Sequence, residues 1–347
     1  MRVLDLSRLL PGPFATLCLQ GLGAQVLKVE EPGGGDYLRH LPPVVERDGQ
    51  AVSAWFWALN RGKRSIAVDL RSDPGRARVL RLCEQADVLV ESFRPGVMAR
   101  LGLDPAMLVE RFPSLVVASL TGWGQTGPMA SFPGHDIGFL SLSGVLGEGV
   151  PAVQRMQWGD VAAGGLQAAL KIVAALYQRV NLQASGKPMP ACERWLDIAM
   201  LDGLVGMQQA QFAGVAAGAP PDTTLTGGAP FYQFYRCADG GYVSVGALEP
   251  RFLQELSAAS GGDLTTAALQ ALFATAPRDE WMSRLAGACV VPVLLPSEVA
   301  SHPQVVARGL FDAAGLANSP TGPVGGPVPA LGEADADSAA GWPQRWP

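Results

Sequence analysis

His135 is one of three histidines in the 347-residue sequence, beside His40 and His302. It stands in Pro133-Gly134-His135-Asp136, a turn-like segment that runs into the apolar stretch Ile137–Val145. Twenty-five residues on, from 135 to 160, Trp158-Gly159-Asp160 puts a carboxylate at the head of a long apolar segment. Imidazole and carboxylate side chains are the usual carriers of protons near neutral pH. Taken alone, a turn histidine is more often structural, and from spacing alone an ordinary helix N-cap is the better reading of Asp160. Both roles are compatible. The free amides following Asp160 and the positive end of the helix dipole also suit an enolate or acyl oxyanion forming beside that carboxylate.

A second set of candidates is cationic. Basic residues gather in Asn60-Arg61-Gly62-Lys63-Arg64, with Arg39, Arg71, Arg94 and Arg100 near strand ends. Each one alone reads as part of a solvated rim. As a set on loops at the carboxyl ends of strands, they stand where an open α/β sheet binds a phosphorylated nucleotide.

The elements that must position these residues follow from patterning. Short β-branched runs predict strands at Val3–Leu6, Gln25–Glu30, Ser65–Leu70, Asp87–Glu91 and Ser114–Leu120, with helices between them. That alternation predicts a largely parallel sheet in a large α/β domain. Ser72-Asp73-Pro74 predicts a capped helix through Gln85, and another helix is expected from Asp160 to Arg179. Gly21-Leu22-Gly23-Ala24 superficially suggests a dinucleotide fingerprint. Its glycines close a helix (Pro13–Gln20) and lead into a strand, so a helix C-cap is the better reading.

Polar residues with Gly186, Pro188 and Pro190 predict that this domain spans 1–190. A helical linker over 191–229 is expected next, with a helix at Leu196–Gly214, and then a small α+β domain over 230–314. The Pro-, Gly- and Ala-rich tail, 315–347, is expected to run extended and to join the large domain.

Composition narrows the function classes. With 48% apolar and 16% charged residues the chain has the balance of a packed globular protein. A net charge of −5 argues against nucleic acid or an anionic membrane as the main partner. Five scattered cysteines show no metal or disulfide spacing, so no metal site is expected. Met1–Ser7 enters a strand-like segment directly, and the most apolar stretch, Val161–Leu176, is cut by Gln167 and Lys171. A cytoplasmic location without membrane contact is the expectation.

Several segments together resemble the class III CoA-transferase superfamily. They are Leu6–Ala15 leading to Leu22–Glu30, Asn60–Ser65, Ala86–Gly96, Ser301-His302-Pro303 and Arg308-Gly309. Gly134-His135-Asp136 and Gly246–Pro250 resemble its α-methylacyl-CoA racemase branch. The resemblance implies a Rossmann-like large domain, a smaller domain and an interlocked homodimer. It implies an acyl-CoA substrate, no separate cofactor, and proton exchange at the acyl α-carbon by His135 and Asp160, with Glu249 supporting the histidine. It also implies CoA contacts from Arg39, Arg61, Lys63, Arg64, Val68, Asp69, Leu70, Arg71, Ser92, Phe93, Arg94, Arg100 and Phe139.

Ser92 departs from the asparagine common in the family, and the tail after Leu331 is shorter than the family pattern. Two other activities fit the same residues: CoA transfer through an acyl anhydride on Asp160, and acyl-CoA binding without catalysis.

Overall fold

In chain order the strands are β1 (Arg2–Asp5), β2 (Gln25–Glu30), β3 (Val44–Arg47), β4 (Gln50–Ser53), β5 (Arg64–Ala67), β6 (Val88–Glu91), β7 (Val116–Thr121), β8 (Trp195–Ala199), β9 (Tyr232–Arg236), β10 (Tyr242–Gly246) and β11 (Val290–Pro292). The structure is a computed structural model, and it describes every residue except 48, 148–150, 340 and 345–347. Two compact units emerge: Met1–Gln209 with Asp312–Pro347, and Ala210–Phe311.

The first unit is built on a six-stranded parallel sheet of order β5-β2-β1-β6-β7-β8. Its strands are apolar on both faces because helices cover both sides. Leu4, Leu27, Ile66, Leu89 and Val117 face one core; Val3, Val26, Val88, Ala118 and Ile198 face the other. Burying each of these valine, leucine and isoleucine side chains contributes roughly 1.5–3 kcal/mol. The chain winds outward from β1 through β2 to β5, then crosses to β6 and winds the other way. The carboxyl ends of β1 and β6 thus flank the switch point, where open α/β sheets form their binding crevice.

Local signals act as the residues dictate. Ser72 caps the Asp73–Cys83 helix by accepting from the Gly75 amide at 3.1 Å. The Pro11–Gly21 helix ends in a Schellman motif: Ala24 donates to the Leu19 carbonyl, Gly23 to that of Gln20, and Gly23 takes the left-handed φ of 86°.

Two segments differ from expectation. The expected helix at Leu196–Gly214 begins as strand β8, followed by helices Met200–Gly206 and Gln209–Ala216. Trp195–Ala199 alternates faces and pairs with Val117–Thr121, so cross-strand pairing overrides helical patterning. The first unit accordingly runs past residue 190, and 191–229 is not simply a helical linker. The second segment is the helix at Asp160. Its first turns, Gly159–Leu166, are π-helical before α-helix resumes at Gln167–Ala184.

Small residues let these wide turns sit close to their neighbours. A Cβ on Gly165 would lie 2.6 Å from the Phe14 ring, and one on Gly203 would lie 2.7 Å from Ala163. Gly159–Ala184 is long and apolar enough to cross a membrane by length and composition. Its Ala168, Ala169 and Ile172 nevertheless pack against the sheet, as in a core helix.

The second unit carries the antiparallel sheet β11-β10-β9. Helices Pro250–Ala259, Thr266–Phe273 and Arg278–Arg284 supply Leu256, Phe273 and Trp281 to its core, where Tyr235 stacks on Phe273 at 5.2 Å.

Candidate active site

A cavity of about 800 Å³ opens at the switch point. The loop after β1 brings Arg8, the loop after β6 brings Ser92, Phe93 and Arg94, and β7 with its following loop brings Leu120–Trp123. His135 and Asp160 both line this cavity.

Each is held by its own element. His135 is the N-cap of the Asp136–Leu142 helix, and its carbonyl accepts from the Gly138 and Phe139 amides. Phe139 anchors that turn. It meets Trp123 edge-on at 4.8 Å, and a Cβ on Gly134 would come within 2.5 Å of its ring. Asp160 belongs to the first π-helical turn, and its backbone amide donates to Asp136 Oδ1 at 3.0 Å. Gly159 packs against the same carboxylate, where a Cβ would lie 2.8 Å from Asp136 Oδ1.

Burial, and secondarily the negative charge of Asp136, push the Asp160 carboxyl up to about 7. A carboxyl poised there can both accept and return a proton near neutrality. Of the amides following Asp160 that were expected to bind an oxyanion, the first is already taken: Val161 donates to the Gln157 carbonyl at 2.9 Å.

A second depression of about 250 Å³ adjoins the first, sharing Arg8, Phe93 and Val97 with it. It is lined by Val68, Asp69, Leu70 and Arg71 at the carboxyl end of β5. The Arg8 guanidinium lies 5.4 Å over the Phe93 ring, and its backbone amide donates to Ser92 Oγ.

The structure therefore gathers His135, Asp160, Phe139, Ser92, Phe93 and Arg94 in one cavity, and Val68–Arg71 in the depression beside it. The cluster at 60–64 is different. Lys63 is 1% exposed, and its ammonium donates to Thr16, Asn60, the Pro13 carbonyl and Asp5. Burial raises the Asp5 carboxyl, but the charges of Lys63 and Lys28 with hydrogen bonds from Ser7 and Thr16 overcome it and hold the group at about 2.

Arg61 is buried on the carbonyls of Ala317 and Val324, and Arg64 pairs with Glu333 and Asp337. Arg39 is buried in a bidentate pair with Glu30. These four side chains fix the core and the C-terminal tail rather than line either hollow. Arg100 ends the Val97–Arg100 helix and lines neither hollow. Glu249 lies in the second unit, exposed at the N-cap of the Pro250–Ala259 helix.

Residue reasoning did not single out Arg8, Asp136, Tyr37 and Trp55, all of which line the main cavity. Arg8 was legible as the first charge after β1, and Asp136 as the neighbour of His135. Tyr37 and Trp55 carried no such signal. Among the described residues no group of three or more His, Cys, Asp or Glu could hold a metal ion.

Comparison with known proteins places these features. Residues 1–345 match the family described as CoA-transferase family III. The chain is 35% identical to human alpha-methylacyl-CoA racemase, over 89% of this chain and 81% of the relative. It is 33% identical to the acetyl-CoA:oxalate CoA-transferase of Acetobacter aceti, over 93% and 87% of the two chains. The crystal structure of a CAIB/BAIF family protein from Brucella suis superposes with a TM-score of 0.82 at 30% identity, covering 97% of this chain and 96% of that one. A parallel sheet with its crevice at the β1/β6 switch point, together with matches along the whole chain, leads to one conclusion: this chain belongs to CoA-transferase family III.

Proposed function

We propose that the protein is a racemase that interconverts R and S 2-methylacyl-CoA thioesters by moving the α-proton through an enolate. The observation that carries the reading is a histidine and a carboxyl held near pH 7 lining the same cavity. One group removes the α-proton, giving a planar enolate, and the conjugate acid of the other delivers a proton to the opposite face. Two carriers are needed because a single base returns the proton to the side it left. The 35% identical racemase supports this choice within the family.

The enolate oxygen is assigned to the first amides of the Asp136–Leu142 helix, those of Asp136 and Ile137. They precede the intrahelical bonds that begin at Gly138. The CoA nucleotide is assigned to the depression lined by Val68–Arg71, with Arg8 and Phe93 at the junction. Glu249 is assigned, by family resemblance, as a support for His135 supplied by the second subunit of a homodimer. The step uses these side chains and the substrate alone.

NMR observation of α-proton loss from a panel of 2-methylacyl-CoA thioesters in heavy water tests the reading; exchange without acyl transfer supports it. A second reading, CoA transfer through an Asp160 acyl anhydride, is favoured by the relatedness to an oxalate CoA-transferase. It predicts hydroxylamine trapping at Asp160 and transfer to a free acid.

A further inference from the structure

We infer that Asp136 is a positioning residue that ties the two proton carriers together, its carboxylate fixing Asp160 through the Asp160 backbone while its own main chain carries His135. The inference rests on the proton-transfer reading above.

Three geometric facts converge on this. Asp136 follows His135 directly and opens the helix that His135 caps. Its Oδ1 accepts from the Asp160 amide at 3.0 Å, across a sequence separation of 24. Gly159 is required beside it, since a Cβ there would lie 2.8 Å from that same oxygen. A displacement of one carrier is therefore transmitted to the other through a single side chain, only 9% exposed. Burial raises the Asp136 carboxyl above the ordinary aspartate range, while the bond from the Asp160 amide and its place in the first turn of a helix favour the negative charge.

That charge acts on Asp160 as well as placing it. Other ionisable groups stand on the surrounding elements: Cys18 on Pro11–Gly21, Asp202 on Met200–Gly206, Asp197 on β8, and Lys171, Tyr177 and Arg179 further along the helix. His135, Arg8 and Arg94 share the cavity. Asp136 is the charged neighbour that raises the Asp160 carboxyl. Removing a like charge lowers a carboxyl pKa.

The test compares Asp136→Asn and Asp136→Ala in the full-length protein, with thermal melting to establish folding. The amide oxygen of Asp136→Asn can still accept from the Asp160 amide, but the charge is gone. Exchange is expected within about tenfold of wild type, and the Asp160 carboxyl should titrate at lower pH. That titration is read by 13C NMR of aspartate-labelled protein, with the resonance assigned through Asp160→Asn. Asp136→Ala loses both features, and kcat for exchange should fall on the order of 10²-fold at nearly constant KM. If both variants exchange within about threefold of wild type and Asp160 titrates as before, the assignment is overturned. If the wild type exchanges no α-proton but the Asp160 resonance still moves down in Asp136→Asn, the racemase reading fails and the role of Asp136 stands.

Discussion

Lys63 Nζ lies 3.2 Å from an Asp5 carboxylate oxygen, with both side chains fully buried beneath the Pro11–Gly21 helix. The pair sits under the crevice rather than in it. Lys63 holds the helix through the Pro13 carbonyl and Thr16, and so fixes the backbone that carries Arg8 to the cavity wall.

Lys63→Ala should therefore act on stability and not on ligand binding. Breaking a buried pair leaves an uncompensated charge and costs about 3–5 kcal/mol. Urea unfolding should show that loss, while calorimetry of the remaining folded protein should show an unchanged affinity for CoA. A selective loss of affinity at unchanged stability would return Lys63 to the ligand site.

Arg94→Ala should do the opposite, because Arg94 lines the cavity. Losing one charge-assisted contact should weaken CoA binding by roughly 10–100-fold at nearly unchanged Tm. Calorimetric titration beside Lys63→Ala measures the contrast directly.

How far the sequence predicts this site depends on whether a signal is local. Ser72 and Gly23 act within a few residues of themselves, and the cap and helix end they predict are present. Strand β8 was not legible. Trp195–Ala199 becomes a strand only by pairing with β7, more than seventy residues away in sequence. The basic run at 60–64 shows the sharper limit. A lysine's letter does not reveal whether it faces solvent, a phosphate or a buried aspartate, and Lys63 takes the last course. His135 and Asp160 were legible as cavity-lining residues because each stands at the head of a helix with its own local signal, His135 as the N-cap and Asp160 in the first turn after the Trp158 cap rather than as the cap itself.

Two carboxyls near the crevice weaken the fold as pH rises. Burial pushes Glu91, at the end of β6, up to about 7 against hydrogen bonds from Ser119 and Phe93, and Asp160 is raised to about 7 as well. A folded-state pKa above the unfolded value means that the native state binds the proton more tightly. The stabilisation is complete below the unfolded pKa, about 4.5 for Glu91, and is lost as pH climbs through about 7. Glu91→Gln should accordingly stabilise the protein at pH 8 by on the order of 1–3 kcal/mol, with little change near pH 4. Thermal unfolding at the two pH values decides the matter; equal effects at both would contradict the assignment.

The same raised carboxyl shapes the pH dependence of catalysis. From the epimer whose α-proton Asp160 removes, kcat should rise as pH passes about 7 and the base ionises. From the other epimer Asp160 is the proton donor, and kcat should fall over the same interval. Profiles of kcat for the two epimers that share one slope would show that Asp160 does not alternate between these roles.

Epimer-resolved α-proton exchange in heavy water, measured for His135→Ala and Asp160→Ala, tests the central claim most directly. His135→Ala should lose exchange from one epimer, the S form by family resemblance, by about 10²–10⁴-fold while largely sparing the other. Asp160→Ala should reverse that preference. Equal loss from both epimers in both variants, or no exchange in the wild type, would contradict proton carriers acting on opposite faces of the α-carbon.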